Sequence, residues 1–61
     1  MFKFKPQDYV RIVFNDLNYR GRVLRCIHDG GPPIYKVMYS DDKADLRTEE
    51  FYEDELAAVA K

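Results

Sequence analysis

Tryptophan is absent from this chain, and cysteine, histidine and serine each occur once, as Cys26, His28 and Ser40. A lone cysteine excludes any disulfide within the chain. Small secreted domains normally carry several cysteines, so the composition points to a reducing, cytoplasmic setting. A nucleophile needs a base and an orienting group within reach, and one thiol, one histidine and one serine leave few ways to assemble them. No apolar run approaches the ~18 residues of a membrane span. The opening Met1-Phe2-Lys3-Phe4-Lys5-Pro6 also lacks an apolar stretch of signal-peptide length. Repeats, linkers and low-complexity tracts are missing too.

What the chain does have is aromatic surface and charge. Five Tyr and four Phe in 61 residues supply large buried areas, which a small core needs. A chain this short makes one domain, 1–61, and buries only ~60% of the surface it exposes when unfolded. Net charge is −1, but the charges are sorted along the sequence. Residues 1–37 hold seven Lys/Arg against three acids; residues 38–61 hold three against eight. The result is an electrostatic dipole along the sequence.

Turn signals cut the chain into short segments, as in an all-β domain. From Tyr9 to Phe14, Val10, Ile12 and Phe14 alternate with Tyr9, Arg11 and Val13, the pattern of a half-buried strand. Asn15-Asp16-Leu17-Asn18 reads as a loop, because Asn and Asp side chains make local turns. Tyr19 to His28 is a second strand whose alternation breaks at the adjacent Val23 and Leu24, which predicts a bulge or bend. Gly21 fits a place where another backbone comes close. Asp29-Gly30-Gly31-Pro32-Pro33 is a hairpin connection. Ile34 to Tyr39 puts Tyr35, Val37 and Tyr39 inward, and Asp45 to Phe51 makes a fourth strand holding Leu46 and Phe51. For the last dozen residues two readings stand. A tight turn at Tyr52–Glu55 and a closing strand from Leu56 to Ala60 is favoured over a helix with a Tyr52, Leu56, Val59 stripe.

Phe4-Lys5-Pro6-Gln7-Asp8-Tyr9-Val10-Arg11-Ile12 resembles the opening of SH3-like barrels, Phe-x-x-Gly-Asp-x-Val-Arg-Val, with Gln7 where Gly usually stands. Tyr35-Lys36-Val37-Met38-Tyr39-Ser40-Asp41-Asp42 and Phe51-Tyr52-Glu53-Asp54-Glu55-Leu56 are similar to the later part of such domains. The resemblance implies a small five-stranded antiparallel SH3-like or Tudor-like barrel with a short helical turn before the last strand. The alternative is a three-stranded sheet with a C-terminal helix, as in chromodomains. The expected core is Val10, Ile12, Val23, Val37, Tyr39, Leu46 and Leu56. In Tudor domains an aromatic cage holds methylated side chains, and Phe14, Tyr19 and Tyr39 resemble three of its members. Its further aromatic and its Asn would fall near Asp42 and Ala44, where neither residue type stands.

The candidate chemistry is that of a binding module, not an enzyme. Cys26 and His28 supply two ligands, too few for a tetrahedral zinc site within one chain. Asp41, Asp42 and Asp45 lack the Gly and distal Glu of a calcium loop. No cofactor, metal, membrane or small-molecule substrate is indicated. Arg11, Arg22 and Lys36 fall at outward positions of consecutive strands, with Arg20 nearby and Tyr9 on the same face. A basic sheet face carrying an aromatic ring suits phosphate-backbone or nucleic-acid binding. The acidic segment around Phe51 and Tyr52, and the exposed positions Val13, Ile34 and Met38, suit a protein partner or self-association. With the chain acidic overall, composition favours the protein partner, with nucleic acid as the alternative.

Overall fold

The computed structural model describes residues 2–59, apart from the side chain of Asp16. The strands are β1 (Tyr9–Ile12), β2 (Tyr19–Ile27), β3 (Ile34–Ser40), β4 (Leu46–Tyr52) and β5 (Leu56–Ala58). All neighbours pair antiparallel, in the order β4-β3-β2-β1-β5. A 3-10 turn over Glu53–Glu55 leads into β5, and another over Phe14–Asp16 follows β1. The five antiparallel strands and the short turn before the last of them match the sequence expectation. The expected C-terminal end of the last strand, at Ala60, lies outside the described residues.

One core draws on every strand: Val10, Ile12, Val23, Tyr35, Val37, Tyr39, Phe51 and Leu56, closed at one end by Phe4. Phe51 and Leu56 come from the two margins of the sheet, so the sheet curls until these margins share one interior. It remains open, because β4 and β5 are joined by the 3-10 turn and not by a ladder. That turn is held by Glu55, whose side chain accepts the Tyr52 N–H at 2.7 Å. Residues 52–59 thus form turn and strand in place of the alternative helix. No helix among the described residues is long and apolar enough to cross a membrane.

The curl has local causes. The β2–β3 register slips between Val23 and Arg25, so Leu24 bulges out and β2 bends there. At Gly21 a Cβ would stand 2.6 Å from Val37 Cγ1 and 3.0 Å from the Met38 carbonyl, so only glycine fits. Gln7 has a φ of 80°, a left-handed backbone that glycine adopts most readily. Its N–H donates to the Val23 carbonyl at 2.8 Å, which anchors the entry to β1.

One expected core position and one expected strand position are corrected. Leu46 is 74% exposed. Leu46 and Phe51 are five positions apart, an odd step, so period-two alternation cannot turn both inward. Phe51 takes the core. Phe14, expected on the inner face of the first strand, is 44% exposed. Val13 already has helical ψ, β1 stops at Ile12, and Phe14 opens the 3-10 turn.

The Tyr35 hydroxyl fastens the start of the N-terminal segment, where the Lys3 N–H also reaches Glu53 Oε2 at 3.4 Å. Tyr35 Oη accepts the N–H groups of Lys3 (2.9 Å) and Phe4 (3.2 Å) and donates to Glu53 Oε2 (2.8 Å). The rings of Phe2 and Phe4 each meet the Tyr35 ring edge-on, at 5.7 and 5.4 Å. The first residues, the β3 core and the turn before β5 are therefore joined at a single buried side chain.

Candidate functional site

Because Val10, Ile12, Gly21, Val23, Val37 and Tyr39 face the core, the alternate positions form the outer face. On β1 these are Tyr9 and Arg11, on β2 Arg20, Arg22 and, beyond the bulge, Arg25, and on β3 Lys36, Met38 and Ser40. The outer positions of β5, β1, β2 and β3 include no carboxylate. Acid first appears on this face at Glu50 of β4, opposite Lys36.

The register then sets the neighbours. Tyr9 lies directly opposite Arg22, whose guanidinium sits over the Tyr9 ring at 5.6 Å from its centroid. Arg22 also donates through Nη2 to Gln7 Oε1, which steadies it over the ring. Arg11 lies directly opposite Arg20. The Ile12 carbonyl accepts from Asn18 on the β2 side, so Ile12 points its backbone toward β2 and Arg11 does not. Arg11 and Arg20 are therefore a non-hydrogen-bonded pair, the kind in which side chains stand closest. Among the described side chains the ion pair is that of Arg47 with Asp41, and no described carboxylate lies within ion-pair distance of these outer arginines.

Of the five residues expected at a basic face, the structure brings together Tyr9, Arg11, Arg20 and Arg22. Lys36 stands directly opposite Arg25 and not Arg22, so Arg25 and Lys36 together extend the basic face past the bulge, with Glu50 on the far side of Lys36. Tyr9 shares the outer face of β1 with Arg11, and its ring is covered by Arg22 from across the ladder. Beside Tyr9 and Arg20 runs a groove whose other walls are Lys3, Phe4, Gln7, Ala58, Val59 and one acid, Asp8. Tyr9, 66% exposed, leaves much of its ring open to solvent there.

The three cage-like aromatics are placed differently. Tyr19 and Tyr39 stack on each other, with centroids 5.6 Å apart and planes 16° from parallel. Their facing surfaces are thus filled by each other. Tyr39 is buried, meets Phe51 edge-on and donates its hydroxyl to Glu49 Oε2 at 2.5 Å. That bond to a carboxylate, with burial and the Glu49 charge, pushes the Tyr39 hydroxyl up to about 12. Phe14 makes no ring pair with either tyrosine. No gap for a methylated cation lies between the two stacked rings.

The remaining chemical candidates are occupied with structure. The Cys26 thiol packs on the core and donates to the Phe4 carbonyl at 3.4 Å, and burial raises its pKa. His28, past the end of β2, meets the Phe2 ring edge-on. The Asp41 carboxylate takes the N–H groups of Lys43 and Asp45 as well as Arg47 Nε, at 2.7 to 3.0 Å. The Arg47 bond, aided by these N–H donors, holds the Asp41 carboxyl below its ordinary value. Among the described residues no group of three or more His, Cys, Asp or Glu is placed to hold a metal ion.

Comparison with protein families, with curated proteins and with solved structures returned no match to this chain.

Proposed function

We propose that the chain is a non-enzymatic binding module, working in the cytoplasm, that takes a single-stranded nucleic acid on the outer face of β1 and β2. One observation carries the reading: Arg11, Arg20, Arg22 and Arg25 share the outer face of β1 and β2, whose strand positions carry no carboxylate, and an exposed tyrosine stands among them. Like charges directly opposite on neighbouring strands destabilise a sheet, so Arg11 and Arg20 are an arrangement that an anionic ligand relieves. Guanidinium groups match phosphate oxygens bidentately. The open part of the Tyr9 ring offers a stacking surface for a base, with Arg22 holding its other contacts. Composition alone favours a protein partner; the strand register gives more weight to a phosphate backbone.

The test is a titration of a labelled single-stranded oligonucleotide at several salt concentrations, with poly-glutamate as a second ligand. Binding should weaken steeply with salt, and Arg11→Ala with Arg22→Ala should flatten the log–log slope by about one unit for each cation lost. Failure of the wild type to bind the oligonucleotide at low salt removes the reading. Equal affinity for poly-glutamate would show that the face takes an acidic protein segment instead.

A further inference from the structure

β4 is a margin of the sheet, and Leu46 to Glu50 are all exposed. Its backbone phase can be read from two hydrogen bonds. The Asp41 N–H donates to the Asp45 carbonyl at 3.1 Å, just beyond the Ser40–Leu46 pair that ends the β3–β4 ladder. Residues of antiparallel strands alternate in the side to which their backbone groups point. Asp45, Arg47, Glu49 and Phe51 therefore address β3, while Leu46, Thr48, Glu50 and Tyr52 address the free margin. The Tyr52 N–H is met there by Glu55. At Leu46, Thr48 and Glu50 the outward N–H and carbonyl groups form a strip ready to pair.

We infer that this strip pairs with β4 of a second copy, antiparallel about a twofold axis through Thr48. Charge selects the register. With Thr48 opposite the partner's Thr48, Leu46 and Glu50 complete the hydrogen-bonded pairs, and Arg47 stands opposite the partner's Glu49. The twofold repeats that contact, so two opposite-charge pairs flank the centre. Arg47 gives only its Nε to Asp41, which leaves its terminal amino groups for the new carboxylate. The neighbouring registers are repelled. Centring on Arg47, Glu49 or Glu50 sets that residue against its own copy, like charge on like. Centring on Leu46 draws in Ala44, whose φ of 64° ends the extended strand. Charged residues on an edge normally discourage pairing. Here their alternating sign admits one register and rejects the others. The surface is distinct from the basic face of β1 and β2, so the dimer stands or falls independently of the ligand.

A short strand pairing lies at the small end of specific interfaces, so the dimer should be concentration-dependent. Sedimentation equilibrium from micromolar to millimolar protein should show the mean mass rising from one chain toward two. Over the same range the Thr48 and Glu50 amides should exchange more slowly, in proportion to the dimerised fraction. Thr48→Pro removes an N–H that β3 does not use, so the fold should survive while the mass stays at one chain. Arg47→Glu alone should also give a monomer, and Arg47→Glu with Glu49→Arg should restore the dimer. A wild type that stays monomeric at millimolar concentration overturns the inference. So does a folded Thr48→Pro variant that associates as the wild type does. If Thr48→Pro does not fold, the charge pair decides: a single Arg47→Glu variant that dimerises normally overturns the inference equally.

Discussion

Arg11 and Arg20 face each other across the β1–β2 ladder with no carboxylate on their side of either strand. A chain selected for stability alone would place opposite charges there. Arg20→Glu should therefore raise stability by about 0.2–1 kcal/mol while weakening any anionic ligand. Thermal denaturation beside an oligonucleotide titration reads both effects. A lower melting temperature would show that the two guanidinium groups are not in conflict.

Tyr35 is fully buried and its hydroxyl serves three partners. Tyr35→Phe keeps the ring and its edge contacts with Phe2 and Phe4 but strands the buried Phe4 N–H. The expected cost is about 1–3 kcal/mol, measured by urea denaturation. Glu53→Gln should cost less, since an amide oxygen still accepts the hydroxyl. Equal stability of Tyr35→Phe and wild type would mean that water replaces the hydroxyl.

Val37 and Gly21 are predicted to act as a pair. Val37→Ala alone should cost on the order of 1–3 kcal/mol through lost burial and a cavity. Gly21→Ala alone should cost a similar 1–3 kcal/mol, because the new methyl meets the stiff Val37 side chain and the Met38 carbonyl. Combined, the smaller Val37→Ala side chain makes room for the Gly21→Ala methyl, so the double variant should lose less than the sum. Strict additivity in a double-mutant cycle would show that the close approach is not what requires glycine.

Period-two alternation made Val10, Ile12, Val23, Val37, Tyr39 and Leu56 legible as core, and the adjacent Val23 and Leu24 foretold the bulge. Alternation failed where a strand's limits were misplaced. Phe14 continued the pattern on paper, but the backbone had already turned at Val13. Leu46 and Phe51 lie on one strand, but their spacing places them on opposite faces, so only one can enter the core. Phe4 had no strand around it to announce burial; its place is set by the distant Tyr35 hydroxyl. The basic residues were visible singly, but their arrangement depended on register. Nothing in spacing alone reveals that Arg11 meets Arg20, or that the bulge puts Lys36 opposite Arg25.

Alkaline pH should unfold the protein through Tyr39. Its hydroxyl is pushed up to about 12 from an ordinary 10.0, chiefly by the bond to Glu49. Between these values the unfolded chain releases a proton that the folded chain keeps. Stability is thus complete below pH 10 and falls as pH rises toward and through 12. The difference in phenolate absorbance between wild type and Tyr39→Phe isolates this titration. Glu49→Gln should move it back toward the ordinary value and delay the alkaline loss. An unchanged midpoint in Glu49→Gln would place the cause in burial instead.

The β1–β5 ladder has a consequence in time. β2, β3 and β4 follow one another as neighbouring hairpins, whereas Val10, Arg11 and Ile12 must find Ala58, Ala57 and Leu56, the most distant pairing in the sequence. Closing so long a loop costs entropy before any contact repays it. The hairpins around β3 are therefore expected to form the folding nucleus, with β5 docking after the rate-limiting barrier. Weakening Val37 should slow folding, while weakening Leu56 should mainly hasten unfolding. The sequentially remote strand would act as the latch whose release sets the lifetime of the native state, and stopped-flow chevrons of Val37→Ala and Leu56→Ala would distinguish the two roles.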